Sequence, residues 1–214
     1  ETQPELAYRV NAEAVKILAE ACKTNKAILI HISTDYVFDG KTNEPYTEED
    51  LTNPINEYGK SKLAGELAIK NVFDEFFIIR TSWLYSSYGH NFLKTIIKKI
   101  QENSELKITT SQTGTPTSCE ELSQFIFFLI DSKSKAFGVY HFSSLGEATW
   151  YDFALEISKP FKGYNKSMIT PTKTFKTKAE RPNYSVLNNH KSKQIFRKRE
   201  HWKDQVIRTV KSLM

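Results

Sequence analysis

The sequence predicts an α/β fold with a parallel sheet, because short apolar runs alternate with longer segments of helical periodicity. Residues 27–32 are nearly all apolar and residues 76–81 begin with four apolar side chains, which is typical of strands that helices cover on both faces. Helices are predicted around them, near residues 4–25, 56–72 and 91–103. The chain of 214 residues is long enough for one large domain or two small ones.

The first predicted helix carries both a start signal and an apolar stripe. Thr2 and Glu5 have the spacing of a capping box, in which the two side chains satisfy free backbone N–H groups. The helix is predicted to end near Asn25. The residues that recur at helical spacing, and that are predicted to be buried, are Ala7, Val10, Ala14, Leu18 and Ala21.

The rest of the chain continues the alternation and then becomes more irregular. Strands are predicted near residues 106–109, 138–142 and 168–170. Helices are predicted near residues 117–130, 149–159, 189–197 and 202–213, the first two after capping boxes at Thr117 and Thr149. We therefore predict that residues 1–137 carry the sheet. Residues 138–214 are predicted to form a smaller lobe over its carboxyl edge, where such sheets bind ligands.

Composition and charge narrow the class of protein. With 39% hydrophobic and 26% charged residues, the chain is predicted to be globular, and no run reaches the ~18 apolar residues of a membrane span. The first residues lack the pattern of a signal peptide, and the distant Cys22 and Cys119 are predicted to be buried thiols in a reducing cytoplasm. The net charge of +5 is concentrated near the C-terminus, where a solvated helical face is the simplest interpretation. Neither nucleic acid nor a membrane is an expected partner, although an anionic small substrate would suit the charge.

Three side chains carry the chemistry that the sequence predicts. Tyr58 and Lys62 are four residues apart in a predicted helix, so they project from one face. A nearby ammonium lowers a phenol pKa from about 10 toward neutrality. Thr34 follows the first buried strand, where its hydroxyl would help to polarise a carbonyl. These groups could deliver a proton to a carbonyl. The alternatives are a surface tyrosine beside a solvated lysine, and a threonine that caps a local turn.

Seven short segments, spread over nearly the whole chain, occur in an order that is known from one protein family. They are Val10-Asn11, Ser33 to Gly40, Tyr58 to Lys62, Arg80 to Tyr85, Gly89 to Phe92, Gln112 to Thr117 and Arg181 to Leu187. In this order they resemble the extended short-chain dehydrogenase/reductase family, and within it the reductases of 4-keto nucleotide sugars. The turn Val37-Phe38-Asp39-Gly40 favours a reductase, because related epimerases and dehydratases usually carry Val-Tyr-Gly there.

The resemblance implies a Rossmann-like fold and a specific reaction. NADPH or NADH would reduce the 4-keto group of dTDP-4-dehydro-L-rhamnose to give dTDP-L-rhamnose, and the sequence does not say which cofactor is preferred. Some relatives form dimers and use a magnesium ion. A homodimer and magnesium are therefore implied by the resemblance alone, since the sequence shows no cluster of metal ligands.

The resemblance also implies roles for individual residues. Tyr58 would donate a proton to the C4 oxygen, Lys62 would hold the nicotinamide ribose and tune the phenol, and Thr34 would orient the ketone. Ser33 would join Tyr58 and Lys62 at the cofactor. The residues implied at the dTDP-sugar are Asp35, Trp83, Asn91, Gln112 and Arg181. For Trp83 a place in the core, and for Arg181 an ion pair within the fold, remain alternatives.

One part of the family pattern is absent. The sequence has eight Gly and no Gly-x-x-Gly-x-x-Gly loop of the kind that binds a dinucleotide pyrophosphate. We therefore expect an incomplete Rossmann-like sheet, the C-terminal two-thirds of such a protein, with weak or no dinucleotide binding by itself. Two other hypotheses remain: a non-catalytic relative that kept the fold, and an epimerase or dehydratase of another nucleotide sugar.

Overall fold

The computed structural model describes residues 1–174 and 177–214. Its central sheet has three parallel strands in the order β1-β2-β7. These strands are β1 (Leu29–Thr34), β2 (Phe76–Thr81) and β7 (Gly138–His141). The predicted α/β class with a parallel sheet is confirmed.

Eight α-helices lie in the described residues, where seven were predicted, because the predicted first helix is divided into α1 and α2. They are α1 (Pro4–Tyr8), α2 (Ala14–Thr24), α3 (Glu57–Val72), α4 (Phe92–Gln101), α5 (Cys119–Asp131), α6 (Trp150–Ser158), α7 (His190–Ile195) and α8 (Trp202–Ser212). A π-helical turn, Arg9–Glu13, joins α1 to α2. Short 3₁₀ turns cover Asp35–Val37 and Lys166–Met168.

The remaining strands form three small pairs outside the central sheet. β3 (Leu84–Tyr85) pairs with β6 (Thr117–Ser118), β4 (Leu106–Thr109) with β9 (Ile169–Thr172), and β5 (Thr113–Gly114) with β8 (Ala148–Thr149). The four strands of two residues each were not predicted, because so short a strand has no periodicity to detect.

The helix starts confirm one predicted capping box and correct two. The box at Thr149 is present. At α1 the N-cap is Gln3, without a side-chain cap, and at α5 the cap is Ser118 rather than Thr117. Thr117 is held in β6 and its hydroxyl donates to the carbonyl of Thr115, so the next residue caps the helix.

Helix α2 buries a different face from the predicted stripe. Val15 and Ala19 are its buried residues and pack against α3 and β2. The exposed members of the predicted stripe are Val10, Ala14, Leu18 and Ala21. The reason lies in α3, where a Cβ added at Gly65 would lie 2.1 Å from the carbonyl oxygen of Asn11. This close approach selects the face of Asn11, Val15 and Ala19.

Two hydrophobic clusters bear on the predicted division of the chain. One lies between the central sheet and α5, and the larger one joins α4, α6 and α8 with β4 and β9. The larger cluster takes residues from both sides of residue 137, and β7, which follows that residue, belongs to the central sheet. The division into residues 1–137 and 138–214 therefore stays a prediction.

Two further features concern cysteine and membrane segments. Cys22 and Cys119 are unpaired, but they are half-buried and not buried as predicted. Among the helices in the described ranges, none has the length and apolar character needed to cross a bilayer.

Strand β1 lies at the edge of the sheet in the part of the chain that the structure describes, with β2 as its hydrogen-bonded neighbour. Apolar side chains on α2 and before β1 are exposed, with Ile17 at 64%, Leu18 at 55% and Ile28 at 48%. An open strand edge beside exposed apolar side chains pairs readily with other chains.

We expect the 214-residue chain, expressed alone, to self-associate through this surface. Light scattering should show oligomers or aggregates, and Ile17→Lys or Leu18→Lys should reduce them. Leu51→Lys is the matched control, because Leu51 is 92% exposed in a separate polar loop. A monodisperse wild-type monomer would contradict the prediction.

Candidate active site

The candidate site lies where β1 ends and α3 begins. Thr34 is the last residue of β1, and Tyr58 lies in the first turn of α3. The Thr34 hydroxyl lies near enough to the phenol of Tyr58 to lower the phenol pKa, although the two do not form a full hydrogen bond. Thr34 also accepts the backbone N–H of Tyr36 at 3.2 Å, so the alternative role of capping a local turn is present as well. The predicted convergence of Thr34 and Tyr58 is thus observed.

The Lys62 ammonium points to the backbone of β1. Its Nζ donates to the carbonyl oxygen of Ile32 at 2.7 Å and lies 3.5 Å from Nε2 of His31. The pKa of His31 is lowered to about 4, first by burial and then by the Lys62 charge, so its imidazole is neutral at neutral pH. Lys62 is therefore held at the strand end, one helical turn from Tyr58.

The pKa of Tyr58 is raised, which corrects the predicted direction. Although the residue as a whole is 47% exposed, burial of its phenol is the largest cause, and the charge of Asp35 adds to it. The expected lowering by Lys62 is not seen, because the ammonium pairs with the backbone of β1. A phenol that keeps its proton at neutral pH is suited to donate it.

Tyr36 and Arg181 extend the site beyond the phenol. The rings of Tyr36 and Tyr58 meet edge-on with 5.8 Å between their centroids. The pKa of Tyr36 is raised to about 12 by burial and by the charge of Asp35, and the positive charge of Arg181 partly offsets this. Arg181 is half-buried and forms no salt bridge within residues 1–174 and 177–214. A guanidinium in this position is suited to a phosphate group.

A tryptophan pair brings two predicted substrate residues together. Trp83 has a left-handed backbone with φ of 45°, which bulky residues rarely adopt. Its indole stacks on that of Trp150 at 3.7 Å between centroids and an interplanar angle of 8°. Nε1 of Trp150 donates to Oε1 of Gln112 at 2.9 Å. Trp150 was not predicted as a site residue, since its place in α6 gives no sign that it reaches Trp83.

This stack depends on Gly114, because a Cβ added there would lie 2.6 Å from the indole of Trp83. We expect Gly114→Ala to lower the free energy of unfolding by about 1–3 kcal/mol, since the stacked indole has no room to retreat. Gly163→Ala is the control, because a Cβ there has nothing within 4 Å. Equal effects of both variants in denaturant unfolding would contradict the prediction.

Ser33 and Asn91, two predicted site residues, use their side chains inside the fold. The Ser33 hydroxyl is buried and donates to Oε1 of Glu66 at 2.5 Å. The Asn91 side chain caps α4 by accepting from the N–H of Lys94, and it donates to the carbonyl of Ser86. These contacts use the Ser33 hydroxyl and the Asn91 amide oxygen within the fold, and the cofactor contact of Ser33 and the substrate contact of Asn91 stay predictions.

Asp35 is also buried, directly after Thr34. It is 2% exposed, and its Oδ1 accepts the Thr34 hydroxyl at 3.0 Å. The substrate contact that the resemblance implied for Asp35 stays a prediction.

A buried ion pair lies beneath the site. Arg80 of β2 donates to both carboxylate oxygens of Glu66 in α3, through Nε at 3.0 Å and through Nη2 at 2.7 Å. His141 lies 3.4 Å from the guanidinium, and burial lowers its pKa to about 3. The pair fixes α3 on the sheet below Tyr58. It was not predicted, because an acidic residue within a helix usually faces solvent.

Asn56 connects the start of α3 to the segment that carries Arg181. Its Oδ1 accepts the N–H of Gly59 at 2.8 Å and so caps the helix. Its Nδ2 donates to the carbonyl of Glu180 at 2.7 Å. One amide therefore positions the phenol and the guanidinium relative to each other.

Candidate metal ligands are scattered. Across the described ranges, no group of three or more His, Cys, Asp or Glu side chains lies close enough together to hold a metal ion. The magnesium implied by the resemblance thus has no support in these residues.

The fold and site define a class of protein. A parallel Rossmann-like sheet with threonine, tyrosine and lysine grouped at the end of a strand is typical of the short-chain dehydrogenases/reductases. The chain belongs to the family described as RmlD substrate binding domain, which matches residues 1–214. The resemblance stated from the sequence is confirmed.

Known relatives agree with this assignment. A dTDP-4-dehydrorhamnose reductase of Escherichia coli is 38% identical over 205 residues, which cover 92% of this chain and 69% of the relative. A crystal structure of such a reductase from Clostridium acetobutylicum has a TM-score of 0.91 at 39% identity, covering 100% of this chain and 75% of that one. Another, from Bacillus anthracis in complex with NADP, has a TM-score of 0.92 at 36% identity, covering 99% and 75%.

Proposed function

We propose that this chain carries the proton-donating and sugar-binding part of an NAD(P)H-dependent reductase. The reaction is reduction of the 4-keto group of dTDP-4-dehydro-L-rhamnose to dTDP-L-rhamnose. The observation that carries the proposal is the convergence of Thr34 and Tyr58 at the end of β1, with Lys62 one turn away. Two relatives that match 92% and 100% of the chain are dTDP-4-dehydrorhamnose reductases by name.

Lys62 and Tyr58 fit a nicotinamide cofactor. The Lys62 ammonium has three donors, and its close partner is one backbone carbonyl, so donors remain for a ribose hydroxyl. When bound, the cofactor supplies hydride to the substrate carbon. Lys62 and the Tyr58 hydroxyl would hold it at the strand end.

The residues of the chain then supply the proton. Reduction of a ketone leaves negative charge on its oxygen, and the Tyr58 phenol donates to that oxygen. The phenol is protonated at neutral pH, because its ordinary pKa is about 10 and burial raises that pKa further, so the donor is ready before the charge develops. The Thr34 hydroxyl stabilises the same oxygen as a second donor.

Binding of the nucleotide sugar is assigned to residues around the phenol. Arg181 suits the diphosphate, because it is a half-buried cation beside Tyr36. The stack of Trp83 on Trp150 offers a rigid aromatic surface to the sugar, and Gln112 fixes the stack through its amide.

The test is an assay of the full-length protein with NADPH and the keto-sugar, with products identified by NMR. One NADPH consumed for each 4-hydroxy sugar formed supports the proposal. A changed sugar without cofactor consumption would instead favour an epimerase or dehydratase. Binding of the dTDP-sugar without any turnover would favour the non-catalytic relative.

We also propose a cellular location for the enzyme. We place it in the cytoplasm, where unpaired cysteines such as Cys22 and Cys119 stay reduced. A homodimer stays a prediction from the resemblance. Light scattering on the full-length protein would test it.

A further inference from the structure

Asp35 is buried beside Thr34 with half of its carboxyl group unsatisfied. Oδ1 lies 3.0 Å from the Thr34 hydroxyl, whereas Oδ2 has no hydrogen-bond partner among the described residues. The hydroxyl of Ser185 lies near enough to favour the ionised carboxylate, although the two do not form a full hydrogen bond. Leaving one oxygen of a buried carboxylate without a partner is unfavourable, and protonation of the group relieves it.

The hydrogen-bonding capacity of Thr34 makes the protonation state of Asp35 important. A hydroxyl donates one proton and accepts two hydrogen bonds. The N–H of Tyr36 takes one acceptor position of Thr34 at 3.2 Å. If Asp35 is ionised it can only accept, so Thr34 must give its proton to Oδ1. If Asp35 is protonated it can donate to Thr34, whose own proton is then free for another oxygen.

We propose that Asp35 is a positioning residue whose protonated form turns the Thr34 hydroxyl toward the substrate carbonyl. The inference rests on the proposed function, because it requires a ketone beside Thr34. In the ionised state the proton of Thr34 stays within the protein, and the ketone oxygen loses one of its two donors. The protonation state of Asp35 thus determines whether the Thr34 hydroxyl donates to the substrate or to Asp35.

The surroundings of Asp35 agree with a protonated fraction near neutral pH. Burial raises its pKa to about 6, and the nearby hydroxyl of Ser185 and the hydrogen bond from Thr34 partly offset this rise. The titratable or charged groups that face this region are Tyr36 in the same turn, Tyr58 in α3 and Arg181 in the segment before Ser185. Both tyrosines have raised pKa values and are neutral, so Arg181 is the charged member of this set.

The test compares pH profiles of kcat/KM for the full-length protein. For the wild type we expect a fall of up to about tenfold per pH unit above the pKa of Asp35, because the active form is the protonated one. Asp35→Asn should remove this descending limb of the pH profile, since an amide does not ionise and its NH₂ can donate to Thr34. Asp74→Asn, a change of the same kind at an exposed residue, should keep the wild-type profile.

Variants of Thr34 separate positioning from structure. Thr34→Ser retains the hydroxyl and should keep the limb, whereas Thr34→Val should lose it along with part of kcat. The comparison of Thr34→Ser with Thr34→Val tests whether Thr34 mediates the pH dependence, even if Asp35→Asn does not fold. The same limb in Asp35→Asn or Thr34→Val as in the wild type would overturn the proposal, as would a wild-type profile without it.

A second measurement does not depend on turnover. If the wild type does not reduce the keto-sugar, the proposed function fails, but a ¹³C NMR titration of labelled aspartate side chains still reports on Asp35. Thr34→Val should raise the pKa of Asp35, because it removes a hydrogen bond that favours the ionised form. An unchanged pKa would show that the two groups are not coupled.

Discussion

Replacing Tyr58 with phenylalanine should lower kcat for the keto-sugar by about 100-fold or more, because general acid–base catalysis is worth about 10²–10⁴. The change keeps the ring that meets Tyr36 edge-on at 5.8 Å and removes only the proton donor. Binding of the dTDP-sugar should therefore change little. The rate of NADPH oxidation by the full-length protein measures the effect.

Tyr88→Phe is the matched control, since it removes the same hydroxyl from a residue that is 83% exposed. Its kcat should equal that of the wild type. A loss of less than about tenfold in Tyr58→Phe would show that another group donates the proton.

Glu66→Ala should lower the free energy of unfolding by about 3–5 kcal/mol, because it leaves the buried Arg80 without its counter-charge. Both side chains of this pair are almost completely shielded from solvent, at 0% exposure for Glu66 and 3% for Arg80. The Ser33 hydroxyl also loses its acceptor. Unfolding in denaturant, with the slope compared between variants, measures the loss.

Two comparisons make this result specific. Glu102→Ala breaks an exposed pair with Lys99 of similar length, 2.8 Å, and should cost less than about 1 kcal/mol. The double variant Glu66→Leu/Arg80→Met removes both charges and should recover much of the loss. If Glu66→Ala costs no more than Glu102→Ala, the buried pair does not hold α3 on the sheet.

The elements with strong local signals were predicted well. The bounds of β2 agree with the prediction, because its apolar run is short and sharply limited. Helix α3 begins at Glu57, next to the predicted start at residue 56, because Asn56 caps the helix. β1 starts and ends two residues later than predicted. Its last residues, Ser33 and Thr34, are polar, and polar residues at a strand end resemble a loop in sequence.

The site was predicted as a set of residues but not as a set of contacts. Spacing placed Tyr58 near Lys62, and the end of β1 placed Thr34 near both. The partners of Lys62, Ser33 and Asp35 were not predictable, because they depend on which side chains the tertiary fold buries. Burial also reversed the expected direction of the pKa of Tyr58. A pattern in sequence reports neighbours along one element, whereas desolvation is set by all the elements packed around a group.

The double use of the Asn56 side chain limits how this protein can change during evolution or engineering. Its amide joins the first turn of α3 to the backbone of Glu180. An added or deleted residue in the loop before Arg181 would therefore also displace the phenol. A new sugar preference is more accessible by exchanging side chains at fixed loop length than by remodelling the loop itself.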